Sequence, residues 1–219
     1  MSTAIPDVPT KDRALSEFVV ARVSTVQRRY SADEAVAVAA LAQLRRGVGS
    51  RAGSNPALWD LTLAGLPEIL ADPSYTTSAE RDGVATKWEQ AAHDAITLHA
   101  WHQQSRTEPM HRRGVSLGAA LRILGFRTSE EGVLRRFKAL GTTDRHDARL
   151  TLLRGLISQL RAHTIAIDYG ILARDLRQLD HRNTADQVLL RWGRDYHRTK
   201  IDDSDATAHD PTTPKGEDR

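Results

Sequence analysis

Three histidines close together, His93, His99 and His102, are the first side chains whose spacing invites chemistry. His99 and His102 stand three apart, which puts two imidazoles on one helix face and suits a metal ion. Further ligands are missing locally: the chain has no cysteine and no HExxH arrangement. Histidines in this setting read instead as packed, hydrogen-bonded core residues, and no metal or other cofactor is expected. Glycine-rich phosphate loops, a nucleophile elbow and a convincing carboxylate pair are also missing. The residues point away from catalysis and from a small-molecule substrate.

The abundant chemistry is cationic. The formal net charge is +3, but Lys200 to Arg219 carries six acidic and three basic side chains, so the remainder is +6 (28 minus 22). Most of that excess follows Ser105, and between Arg106 and Arg198 the only lysine is Lys138. Arginine presents a planar fork that meets phosphate through two bonds at once, so the bias points to a polyanion. Ordinary solvated faces rich in arginine would give the same composition, and both readings stand at this level.

The elements that would hold these arginines are helices. Met110 to Leu140 reads as a short basic loop and two helices. Ser116 caps the first, with Leu117, Ala120, Leu121 and Leu124 on one face and Gly125 as its stop. Thr128 with Glu131 has capping-box spacing, and Val133, Leu134, Phe137 and Leu140 give the second helix its buried side. Arg112, Arg113, Arg122, Arg135, Arg136 and Lys138 are then left wet.

Earlier in the chain, Lys11 to Arg29 forms a helix with Leu15, Phe18, Val19, Val23 and Val26 inward, and Arg22 at its edge expects a carboxylate of a neighbouring helix, with a nucleic-acid contact at the rim as the alternative. Ser31 with Glu34 reads as a capping box for Ala35 to Arg46, a helix ended by Gly47 with Arg45 and Arg46 in its last turn. The loop after it adds Arg51. Asn55-Pro56 opens a short helix through Leu63, and Asp72 to Ser78 is an irregular crossing. A long helix is expected from Ala79 to Ser105, with Val84, Trp88, Ala91, Ala95, Leu98 and His102 as its stripe.

Downstream, Asp147 to Ala162 is amphipathic, burying Leu150, Leu153, Ile157 and Leu160 with Arg154 and Arg161 on the flank. Asp168 caps a helix with Tyr169, Leu172, Leu176 and Leu179 inward and Arg174 on it. Thr184 starts the last, with Val188, Leu189, Trp192 and Tyr196 inward and Arg191 and Arg194 alongside.

No strand pattern survives, so the fold is expected to be all-α: two packed helical bundles, 11–105 and 112–199, between a disordered lead (1–10) and a disordered acidic tail (200–219). No apolar run is long enough for a bilayer span, no signal peptide opens the chain, and the lack of cysteine favours a cytosolic setting.

Two arginine-bearing helices around a turn are also the outline of a sequence-specific helix-turn-helix DNA-binding regulator. A base reader usually shows Asn, Gln, Ser or Thr early in its second helix. Here those positions are Glu130, Glu131 and Gly132.

LAQLRRGVG, AITLHAWHQQS, MHRRGVSLGAALRIL, LRRFKALGT, IDYGILARDL and RWGRDYH follow one another in an order that resembles the CasB family, over roughly Leu15 to His197. That family is the small subunit of the type I-E CRISPR surveillance complex, Cascade. One departure is His197, where a second aromatic after Tyr196 is expected.

The resemblance implies a non-enzymatic, cytoplasmic helical subunit present in two copies. Its implied partners are the backbone and large Cascade subunits, guide CRISPR RNA, and the target and displaced DNA strands. Inside the matching strings it carries over Arg45, Arg46, Arg112, Arg113, Arg122, Arg135, Arg136, Arg191 and Arg194 as nucleic-acid contacts. Arg154, Arg161 and Arg174 are added from helix geometry alone.

Overall fold

The computed structural model describes residues 10–70, 77–180 and 182–200. The expected lead before Thr10, the tail after Lys200 and most of the 72–78 crossing lie outside them. Ten α-helices are described: α1 (Lys11–Ser31), α2 (Ala35–Arg46), α3 (Trp59–Thr62), α4 (Ser78–Arg81), α5 (Lys87–Gln103), α6 (Leu117–Arg127), α7 (Glu130–Thr142), α8 (His146–Ala162), α9 (Tyr169–Leu179) and α10 (Arg182–Arg198). Among the described residues there is no strand, only an isolated bridge between His111 and Ile167. The fold is all-α, as the periodicity predicts.

α5 is the axis of the molecule. Every residue from Ala91 to Ala100 is buried, and α1, α2, α8 and α9 all pack on it. Alanines at 91, 92, 95 and 100 let those helices come close. One apolar cluster runs from Leu15 and Leu41 through Leu98 to Leu121, Leu153, Leu172 and Trp192, crossing from the first half of the chain to the second.

A helix buried on all sides must satisfy its own polar groups. Thr97 donates to the His93 carbonyl at 2.8 Å, and His93 Nε2 lies 3.2 Å from the Gly47 carbonyl. His99 Nε2 meets Gln27 Oε1 at 3.3 Å, and His102 Nδ1 meets the Tyr169 hydroxyl at 2.9 Å. Burial, reinforced by neighbouring His111 and His102, holds His99 well below its ordinary pKa, and burial with Arg161 holds His102 at about 3. These are neutral core histidines.

Several boundaries differ from the sequence expectation. The long helix is two: Thr86 caps α5 in a box with Glu89, and Val84 is exposed rather than on the stripe. α1 continues through Ser31, so Ser31 does not cap α2; Glu34 stands at that cap without a side-chain bond and pairs with Arg29 at 2.6 Å instead.

α6 runs past Gly125 to Arg127, and the cap of α7 is Ser129, not Thr128, whose hydroxyl donates back to the Leu124 carbonyl at 2.7 Å. α10 starts before Thr184. Gly125 sits in a close approach, where a Cβ would lie 3.3 Å from both Glu130 Cα and the Tyr196 hydroxyl and its neighbours would have to give by a few tenths of an ångström. Arg22 finds the backbone carbonyls of Asp60 and Ala64 rather than a carboxylate.

Candidate nucleic-acid interface

The basic loop between α5 and α6 is fixed by polar bonds at both ends. Gln103 donates to the carbonyls of Arg106 (2.8 Å) and Glu108 (2.9 Å) and accepts from Met110 N at 3.0 Å. Beyond it the chain is stitched to the segment entering α9: Ile167 N donates to Met110 O (3.2 Å), Arg112 N to Ile167 O (3.0 Å), and Asp168 N to Val115 O (2.7 Å). The Asp168 carboxylate caps α9 through Gly170 N and Ile171 N and also accepts from Gly114 N at 2.8 Å. Gly114 has φ of 80°, a left-handed conformation that suits glycine at this turn. Arg112 and Arg113 are held out from this anchored loop, both exposed.

Two glycines set how closely the surrounding helices approach. At Gly118 a Cβ would fall inside the backbone carbonyl of Trp192, so α6 meets α10 backbone to backbone. At Gly170 a Cβ would meet Ser16 Oγ at 2.5 Å and Val20 Cγ2 at 2.6 Å, which seats α9 on α1.

These approaches bring Arg113 of the loop, Arg174 of α9 and Arg191 of α10 to the rim of one open polar cleft of about 570 Å³ against the start of α1. A smaller hollow of about 320 Å³ shares Arg174 and Arg191 and reaches toward the end of α10. Asp175, 2% exposed, accepts from Trp192 Nε1 at 2.6 Å and Arg191 Nη2 at 2.8 Å. Burial pushes its carboxyl up, against the pull of those two donors.

The other sequence-designated arginines are placed separately. Arg45 and Arg46 end α2 with no ion-pair partner among the described residues, the first half-buried and the second exposed. Arg135 and Arg136 are exposed on α7, as is Arg194 on α10. Arg122 is half-buried and not free: it pairs with the exposed Glu130 at 2.6 Å and lies 5.8 Å from the centroid of the Tyr196 ring. Arg154 and Arg161 both lie over Trp101, at 4.7 and 5.4 Å from the ring centroid, and Arg161 also donates to the Trp101 carbonyl at 3.1 Å. The first turn of α7 is acidic, with Glu130 paired and Glu131 exposed, and Glu130 to Gly132 include none of the Asn, Gln, Ser or Thr side chains usual in a base reader.

Sequence reasoning missed Asp175, Asp94 and Arg149, all buried. The signal was present: Asp175 falls at helical spacing with Leu172, Leu176 and Leu179, and a carboxylate on a buried stripe must have partners. Arg149 likewise sits beside Leu150 and Leu153, and it pairs with Asp180 at 2.8 Å. Among the described residues no group of three or more His, Cys, Asp or Glu side chains is arranged to hold a metal ion, and no helix is long and apolar enough to cross a membrane.

No curated protein matches the chain. Among solved structures, CasB from Thermobifida fusca is similar at 36% identity and a TM-score of 0.71, over 84% of this chain and 98% of that one. A chain described as belonging to a CRISPR RNA-guided surveillance complex matches at 26% identity and a TM-score of 0.60, over 84% and 94% of the two chains. A Cse2-family protein from Thermus thermophilus, at 22% identity and a TM-score of 0.59 over 83% and 97%, shares the fold. Residues 40–197 match the family described as CRISPR-associated protein Cse2, and the chain belongs to that family.

Proposed function

We propose that the chain is the non-catalytic small subunit of a type I-E CRISPR surveillance complex, Cascade, where it grips nucleic-acid backbone without reading sequence. The observation that carries this is the convergence of Arg113, Arg174 and Arg191 on one open cleft in a chain of the Cse2 family. Similarity to a chain of an RNA-guided surveillance complex supports the setting. Its partners there are the backbone and large subunits, a second copy of itself, guide CRISPR RNA, and the target and displaced DNA strands, in the cytoplasm.

The mechanism is electrostatic. Replacing a DNA duplex by a guide–target hybrid is close to balanced in free energy, so backbone contacts of about 1 kcal/mol each bias it toward the open R-loop. Arginines that meet phosphates release counterions and hold strands of any sequence. Arg113, Arg174 and Arg191 supply the concave seat, and Arg45, Arg46, Arg112, Arg135, Arg136 and Arg194 extend the cationic surface. Arg154, exposed over the Trp101 ring, keeps its guanidinium nitrogens available to phosphate, whereas Arg122 and Arg161 contribute with the nitrogens that their intramolecular partners leave over.

Reconstituted complexes with and without the subunit test this. R-loop lifetime should shorten sharply without it while guide RNA loading is unchanged. An equal lifetime across salt concentrations would refute the assignment.

A further inference from the structure

Beside the cationic cleft, the smaller hollow that shares Arg174 and Arg191 with it is lined by a carboxylate, Asp175. Asp175 stands on the apolar stripe of α9 and is 2% exposed, a position where a lone carboxylate is strongly disfavoured. Its Oδ2 accepts from Trp192 Nε1 at 2.6 Å and its Oδ1 from Arg191 Nη2 at 2.8 Å, with Arg174 Nε 3.8 Å from the same oxygen. Arg191 Nη2 also donates to Gln178 Oε1 at 2.7 Å, and Gln178 Nε2 donates to Asp12 Oδ2 at 2.5 Å. Arg191 is therefore held in one orientation by a chain of polar bonds running from α9 to α1, with Nη2 as the bonded nitrogen. Its side chain is 37% exposed and that of Arg174 35%, and both line the cleft.

Neutralising Asp175 does not explain the number of cations. Arg13 pairs with Glu17, Arg177 with Asp12 and Arg191 with Asp175. Arg174 shares its carboxylate with Arg191, and Arg113 has none within ion-pair reach among the described residues. Both face the same space.

We propose that this cleft seats a nucleic-acid phosphate and that Asp175 is its positioning residue, setting Arg191 and Arg174 as a fixed pair that Arg113 completes from the loop. The proposal rests on the backbone-gripping function above. Arginine loses rotamer freedom when it binds, and a guanidinium already oriented loses less. A negative charge beneath the seat opposes phosphate binding, so its electrostatic and positioning effects have opposite signs. That opposition makes the idea testable.

Asp175→Asn keeps an oxygen to accept from the Trp192 indole while removing one negative charge. Binding of a labelled single-stranded oligonucleotide of mixed sequence, followed by fluorescence anisotropy, should weaken about three- to tenfold although the protein has become more positive. The slope of log affinity against log salt should shrink by about 0.7, as expected for one neutralised phosphate fewer. Stronger or unchanged binding would overturn the positioning role.

Because that change touches a buried group, Arg113→Gln provides a second route, lowering affinity and slope at an unaltered melting temperature, and Arg174→Gln should lower both while also costing some stability, since Arg174 stands 3.8 Å from Asp175. If neither does, the seat is wrong whatever becomes of Asp175→Asn. Inorganic phosphate shares the seat's chemistry and should displace the oligonucleotide better than chloride at equal ionic strength, but only at concentrations far above that of the oligonucleotide; displacement at equimolar phosphate would assign the cleft to free phosphate instead. A wild-type protein that binds no oligonucleotide at low salt would sink the backbone-gripping function itself, whereas normal wild-type binding with undiminished variants would sink only the seat.

Discussion

The imidazole of His146 lies 3.1 Å from the carboxylate of Asp94, tying the first residue of α8 to the buried middle of α5. Its other nitrogen faces Asp180 at 3.9 Å, just past the end of α9. Arg149, one turn along α8, pairs with the same Asp180 oxygen at 2.8 Å, and Gln90 donates to Asp94 at 2.9 Å. Three helices thus meet at two carboxylates and two cations. The Asp180 and Asp94 carboxylates outweigh burial and raise His146 to about 10. Burial works to raise Asp180, but the nearby His146 imidazole and the bonded Arg149 guanidinium prevail and lower it.

These shifts give a pH prediction with a definite sign. A raised histidine contributes stability that is complete below its ordinary value of 6.5 and is lost as pH rises through about 10. Asp180, lowered, contributes above its ordinary value of 3.8 and loses that contribution as pH falls through its folded value. Melting temperature should therefore decline between about pH 6.5 and 10 more in the wild type than in His146→Gln. At about pH 7 the variant should be less stable by about 2 kcal/mol, below the usual range for a broken buried pair because the histidine is partly exposed. Parallel alkaline limbs in calorimetry would show that other groups control this range.

Two glycine substitutions should move stability in opposite directions. Gly118→Ala forces a methyl into the Trp192 carbonyl, backbone that cannot rotate aside, and should cost about 2 kcal/mol or more by overpacking. Gly155 lies inside α8 with nothing within 4 Å of an added Cβ, so Gly155→Ala should gain about 0.5 to 1 kcal/mol from helix propensity. Chemical denaturation of both variants checks the pair. Equal effects would mean that α6 and α10 have room to separate.

The same contrast marks what the sequence disclosed. Ser116 and Asp168 were legible as caps because their role depends on residues two or three positions away. The buried stripes of α6, α8 and α9 were legible because helical periodicity is local. Gly118 and Gly155 look alike in sequence; only the neighbouring helix distinguishes them.

The Arg122–Glu130 pair is hidden in the sequence because Glu130, eight residues on, comes within 2.6 Å only when α6 and α7 fold onto each other. The break at Val84 was hidden because Trp88 and Ala91 continue a helical period through a non-helical turn. For the cleft, the arginine types could be read but not their grouping: Arg113 and Arg191 are far apart in the chain and meet through packing across Gly118 and the loop held by Asp168.

Tyr169 tests the polar interior of the core. Its hydroxyl meets His102 Nδ1 at 2.9 Å and the Leu98 carbonyl at 3.3 Å, and the ring stands edge-on to His99 with centroids 5.1 Å apart. Tyr169→Phe keeps the ring and removes both bonds, leaving buried groups of α5 with fewer partners. It should lower stability by about 1 to 3 kcal/mol with helix content intact at low temperature. A neutral result in denaturant titrations would show that the histidine finds another partner.

Arg135 and Arg136 allow a direct test on the outer surface of α7. Both are exposed, and Val133 and Leu140 already account for the buried side of the helix. Arg135 has no ion-pair partner among the described residues, while Arg136 donates to the Gly132 carbonyl of its own helix at 3.3 Å. The double alanine variant should fold normally, since surface changes of this kind alter stability by about 0.5 kcal/mol or less and alanine favours helix. If the pair grips phosphates, removing each charged donor should cost about 1.5 to 3 kcal/mol, about ten- to hundredfold in the R-loop equilibrium. In reconstituted Cascade this should appear as faster R-loop collapse with unchanged guide RNA loading. Failure of the variant to join the complex, with a normal R-loop lifetime in whatever complexes do form, would instead place these arginines against a protein neighbour.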